Sequence, residues 1–181
     1  MDGSICAGRT LICGQRFGRC ELLFGEDRVR LTLWCPAVEK RRWRGHVKYK
    51  QLERFSLSNA ERAPYLLLME LASSETSDSS FAELFDPLFA QWSQDHPDSA
   101  DSQLYGAVFY FDEQLDYVRC RSAGEAIPAL RRFFQRPIPE SEALRLAKLV
   151  RLRDRDRERD QRFWRKSVTG TLVHSALHRE D

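Results

Sequence analysis

The sequence predicts a mainly β domain with some helix: an antiparallel, seven-stranded partial barrel capped by a C-terminal helix and followed by a charged helical extension. Three observations predict it. Alternating apolar and polar residues recur in short runs bounded by Gly, Pro, Asn or Asp, the period-two signature of strands with one buried face. No helical pattern separates the early runs, which excludes βαβ alternation and leaves an antiparallel sheet. Apolar side chains at three- and four-residue spacing, the mark of a helix face, enter only after residue 80 and dominate from residue 123 onward.

Taken in order, Thr10-Leu11-Ile12 opens the first strand and turns at Gly14-Gln15-Arg16. Phe17 to Phe24 is the second, and Gly25-Glu26-Asp27 turns it into a third, in which Val29, Leu31 and Leu33 point one way and Arg28, Arg30 and Thr32 the other. Pro36 ends that run, and a loop rich in Lys and Arg reaches Gly45. Val47 to Leu57 reads as one long strand kinked near Gln51. After a turn at Asn59 to Pro64, Tyr65 to Leu71 is apolar on both faces, hence a strand covered on both sides. An acidic linker over 72–80 ends in Ser80, whose hydroxyl suits a helix N-cap. Phe81, Leu84, Phe85, Leu88, Phe89 and Trp92 then recur at helical spacing around Pro87. Leu104 to Phe111 is the next strand, and Asp112-Glu113-Gln114 turns it into a last one, Leu115 to Arg121. Ala123 to Gln135 is the amphipathic closing helix, stopped by Pro137 and Pro139, and Glu140 to Lys166 is a long charged helix. The chain divides into a β domain over 1–136, with an inserted linker and helix at 72–103, and a charged helix and tail over 137–181 that lies outside the domain.

This order of strands, late insertion and closing helix, over residues 9–136, resembles the pleckstrin-homology-like (PH-like) superfold. The succession Val29-Arg30-Leu31-Thr32-Leu33, Val47 to Leu57, Tyr65-Leu66-Leu67-Leu68 and Leu104 to Phe111 is similar to PH-like segments of nuclear SUMO proteases and chromatin factors. The protease catalytic domain has no counterpart in the sequence. The lipid-binding version of the superfold places its basic signature in the first strand-to-strand loop. Here that loop is only Gly14-Gln15-Arg16, so the resemblance implies a protein-binding module more than a phosphoinositide-binding one.

Charge sharpens the reading. The 181 residues carry 29 Lys and Arg against 27 Asp and Glu, a formal charge of +2. Residues 1–54 hold 12 basic and 6 acidic side chains, 55–130 hold 3 and 13, and 131–181 hold 14 and 8. Such segregation speaks for an assembly part with distinct charged surfaces and against a general polyanion binder. The longest apolar run, Tyr65 to Met69, falls far short of the ~20 residues of a membrane helix. Met1-Asp2-Gly3-Ser4 lacks the basic start and apolar stretch of a secretory signal, and the 5 cysteines include no C-x-x-C pair, so the nucleus or cytoplasm is expected.

Catalytic and metal chemistries find little to stand on. Cys6, Cys13 and Cys20 recur every seven residues without a second close pair for tetrahedral zinc, and His174 and His178 lack the glutamate of a metalloprotease helix. Cys35 with His46, and Cys120 with Asp116, sit in no recognisable nucleophile turn. Asp112, Glu113 and Asp116 read as hairpin-tip acids. No enzyme, metal or cofactor is expected.

Binding features are more informative. Arg41, Arg42, Trp43, Arg44, Lys48 and Lys50, with Lys40, His46 and Tyr49 among them, offer charges for phosphates and rings on which bases could stack. The same residues also suit a solvated hairpin with Trp43 folded onto the sheet. Leu66 to Leu71 followed by acids and serines has the composition of a SUMO-interacting strand, or of a core strand leaving into a loop. Leu144, Leu149, Leu152, Phe163 and Trp164 are apolar spots on the charged helix that either a partner or the domain itself must cover. The expected function is a non-catalytic protein–protein interaction module, a scaffold or adaptor subunit of an intracellular, nuclear complex. The alternative is nucleic-acid binding through the 40–50 loop and the Arg-rich helix.

Overall fold

A computed structural model describes residues 3–34, 42–59, 61–72, 81–95 and 105–151. Within them the strands are β1 (Ile5–Ala7), β2 (Arg9–Ile12), β3 (Gln15–Phe17), β4 (Cys20–Phe24), β5 (Arg28–Trp34), β6 (Arg42–Lys48), β7 (Leu52–Leu57), β8 (Tyr65–Leu71) and β9 (Gly106–Phe111). The helices are α1 (Ala82–Asp95), α2 (Gln114–Glu125), α3 (Pro128–Arg131) and α4 (Glu140–Val150). All paired strands are antiparallel, in a four-stranded sheet of order β1-β4-β5-β6 and a five-stranded sheet of order β3-β2-β9-β8-β7.

The chain crosses between the sheets at short corners. β1 passes to β2 across Gly8 alone, where a β-carbon would stand 1.8 Å from the Asp112 carboxylate and would have to push that side chain aside. β3 passes to β4 across Gly18-Arg19, and β6 to β7 across a tight helical turn at Tyr49–Gln51. The inner faces of both sheets supply the main core, among them Ile5, Leu22, Leu31, Trp43, Val47, Phe55, Leu67 and Phe109. Phe81 just ahead of α1 and Leu84, Phe85 and Leu88 on it join this core, and α2 adds Tyr117 and Cys120.

A second cluster lies on the far side of the five-stranded sheet. Leu11, Leu66, Leu68 and Val108 point outward there and are covered by Ile138 and by Ala143, Leu146, Ala147 and Val150 of α4. This is why β8 is apolar on both faces. Polar ties fix the helix in place: Arg54 grips Glu142 with two bonds of 3.0 and 2.6 Å, Arg16 Nε donates to the Leu149 carbonyl at 2.8 Å, and Arg62 pairs with Glu140. The first turns of the predicted tail are thus a covering layer of the domain and not an appendage.

Several expectations are corrected. In place of the expected seven strands in one partial barrel, the described residues form two open antiparallel sheets of four and five strands, with helices. The first turn lies at Cys13 and Gly14, with φ of 47° and 86°, and Gln15 to Phe17 is already strand. The region read as a basic loop up to Gly45 is strand from Arg42, because Trp43 and Val47 alternate inward beneath charged neighbours. Leu115 to Arg121 is helical, since Tyr117, Cys120 and Gly124 meet the core at helical spacing. Ala123 to Gln135 is broken into the end of α2, α3 and a turn at Phe133–Gln135. The long helix is described as far as Val150, and Arg151 is extended. No helix among the described residues is long and apolar enough to cross a membrane.

Candidate binding surface

The outer face of the four-stranded sheet is charged where that of the five-stranded sheet is apolar. Alternation on β6 turns Arg42, Arg44, His46 and Lys48 outward, and alternation on β5 does the same for Arg28, Arg30, Thr32 and Trp34. Register then sets them side by side. Arg28 faces Lys48, Arg30 faces His46, Thr32 faces Arg44 and Trp34 faces Arg42. Directly opposed side chains in such a ladder start about 4.5–5.5 Å apart, so the cations form a double row. All of these side chains are exposed or half-buried.

β4 adds the border. Leu23 lies opposite Arg30, and Glu21 opposite Thr32. Between β4, β5 and β6 the face holds a half-open cavity of about 540 Å³, with Ser4, Glu21, Leu23, Arg28, Arg30, Arg44 and His46 in its wall. Leu23 is 42% exposed there, an apolar step beside the cations. At one end Arg28 is chelated by Asp27 at 3.0 and 3.1 Å. At the other, the Arg19 guanidinium stacks 4.1 Å from the Trp34 ring centroid.

This surface stands on a stiff base. The Tyr49 hydroxyl donates to the Gly25 carbonyl at 2.7 Å and the Tyr49 amide to Asp27 at 2.9 Å, pinning the β6–β7 corner against the β4–β5 turn. Gln51 accepts from the Lys48 amide at 3.0 Å. Crowded cations also act on one another. Burial and the charges of Arg28, Lys48 and Arg30 hold the His46 imidazole below its ordinary pKa.

The sequence-predicted residues fall into three groups. Arg42, Arg44 and Lys48 are brought together on the face, and Lys50 is exposed in the corner turn next to it. Trp43 and Tyr49 are corrections: at 0% and 4% exposure both rings belong to the core and cannot stack on bases. Arg41, Leu152, Phe163 and Trp164 lie outside the described residues. Of the other two proposed partner contacts, Leu149 packs against the outer apolar cluster and Leu144 is 48% exposed. Arg28, Arg30, Glu21 and Leu23 were not among the sequence candidates. The alternation of β5 was their signal, and what was missing was knowledge of which strand lies beside it.

Other candidate chemistries resolve differently. Leu66, Leu67 and Leu68 are buried and β8 is paired on both sides, so they are a core strand and not an edge for a SUMO-like partner. Burial pushes the Cys13, Cys20 and Cys120 thiols far up, away from thiolate chemistry. Cys35 lies outside the described residues, among which no three metal-ligating side chains come together. Comparison with protein-family models, curated proteins and solved structures finds no match to the chain.

Proposed function

We propose that this chain is a PH-like, non-catalytic protein-interaction module whose basic sheet face receives an acidic segment of a partner protein. The architectural half of the reading is supported by continuity. Counting β1 with β2 and β3 with β4 as two strands bent at glycine leaves seven, with an insertion before the last and α2 directly after it. That order shares with the resemblance its late insertion and closing helix, with α2 in the place of the strand expected over Leu115 to Arg121.

The observation that carries the functional half is the paired row of Arg28, Arg30, Arg44 and Lys48 on the sheet face opposite the core, with Arg28, Arg30 and Arg44 lining a cavity there. A face with this density of cations attracts anionic groups. Three features favour a protein segment over nucleic acid. Trp43 and Tyr49 are buried, and Trp34 already carries Arg19. Glu21 in the wall interrupts any continuous phosphate track. Leu23 offers an apolar side chain a seat beside the cations.

A labelled oligo-glutamate peptide and a labelled single-stranded oligonucleotide, titrated against the chain in rising salt, test this reading. The peptide is expected to bind, and the double variant Arg30→Glu, Arg44→Glu to weaken it by at least about tenfold, since each reversal turns an attraction into a repulsion. Oligonucleotide binding that is tighter and falls more steeply with salt would shift the assignment to nucleic acid. Failure of both ligands would remove the surface as a docking site.

A further inference from the structure

His46 differs in kind from the other donors of this face. It stands opposite Arg30 in the β5–β6 ladder, with Arg44 and Lys48 as same-face neighbours on its own strand and Arg28 on the diagonal. It also lines the cavity. Among the described residues, the acids bordering this group include Asp27, bonded to Arg28 at 3.0 Å, and Glu21 on β4 across the cavity. Imidazole changes charge near neutrality, whereas a guanidinium does not.

We propose that His46 is the proton-coupled contact of the surface: it takes up a proton as the acidic segment docks and donates a charge-assisted hydrogen bond to one of its carboxylates. The proposal rests on the reading of this face as an acid-docking site and adds a pH dependence to it. Without the segment, burial and the neighbouring cations hold the imidazole below its ordinary pKa, which favours the neutral ring. A docked carboxylate supplies the opposite charge, which favours the protonated ring and raises its pKa. The complex then holds more protons than its separated parts. By linkage, affinity must rise as pH falls through the pKa of the liganded histidine, and level off below that of the free one. Ligand carboxylates protonate only toward about pH 4, which leaves the interval from about pH 5 to about pH 8 to the imidazole.

Titration of oligo-glutamate at about pH 6 and about pH 8, at constant ionic strength, reads this directly. The unmodified chain is expected to bind about three- to tenfold tighter at the lower pH, a one-unit pKa rise being worth tenfold at full extent. His46→Gln should bind equally at both values, at the strength of the unmodified chain near pH 8. His46→Lys, permanently charged, should bind equally at both, at the strength seen near pH 6. Calorimetry in buffers of different ionisation enthalpy should show proton uptake in the unmodified chain and none in His46→Gln. Binding that is independent of pH, or a pH dependence that survives in His46→Gln, would overturn the role of His46. Absence of binding at either pH would instead overturn the docking surface on which it rests.

Discussion

Arg44 and Trp43 are neighbours in sequence and opposite in role. Trp43 is buried in the core and Arg44 is exposed on the charged face. Replacing the ring with alanine leaves a large cavity between the sheets, so Trp43→Ala is expected to lower unfolding stability by roughly 3–5 kcal/mol in chemical denaturation. Arg44→Ala should stay within about 0.5 kcal/mol of the unmodified chain, because its side chain is exposed. Gly14 is a second position where one atom decides. Its φ of 86° is a left-handed conformation, and a β-carbon would stand 2.1 Å from the Trp92 ring. Gly14→Ala is therefore expected to destabilise by at least about 1 kcal/mol in the same measurement.

At the level of elements, α4 shows how an apolar face and a charged pair divide the work. The face covers Leu11, Leu66, Leu68 and Val108, and the bidentate Arg54–Glu142 pair, at 3.0 and 2.6 Å, sets its register. The Arg54 guanidinium holds the Glu142 carboxyl below its ordinary pKa. The stability from that pair is fully present above the unfolded carboxylate value of about 4.3 and is lost as pH falls through the lower folded value. Glu142→Gln is expected to cost about 1–2 kcal/mol at neutral pH, allowing for partial exposure. The variant's stability should also fall less steeply with acid than that of the unmodified chain. Amide exchange on Leu146 and Ala147 measures both effects. Removing residues 137–181 exposes the outer apolar cluster altogether. At roughly 1.5–3 kcal/mol per buried aliphatic side chain, that truncation should unfold the domain or drive it to associate.

Strand identity was more legible than strand partnership. Period-two alternation was plain in β5, and apolarity on both faces marked β8 as covered, though not by which element. β6 was half hidden because its outward residues are all polar and only Trp43, Gly45 and Val47 carry the inward pattern. α2 was misread because its buried face is only Tyr117, Cys120 and Gly124, while Leu115 and Val118 are 68% and 46% exposed. Its apolar residues thus mimic a strand, and packing against β1 and β9 overrides the local preference.

For the whole molecule, two sheets back to back give two outer faces, and the sequence treats them oppositely. One is greasy and closed by α4. The other is basic, and its double row of cations becomes visible only when register sets β5 beside β6. The candidate site was therefore half legible, as basic residues on one strand, and its other half waited on the pairing. Amide chemical-shift mapping of the isotopically labelled chain, titrated with oligo-glutamate, locates the occupied face without any substitution. Shifts are expected to concentrate on Glu21, Leu23, Arg28 to Thr32 and Arg44 to Lys48. Shifts confined to α2, α4 or the Cys13-Gly14 turn, with these strands unmoved, would place binding elsewhere and refute the basic face as the docking surface.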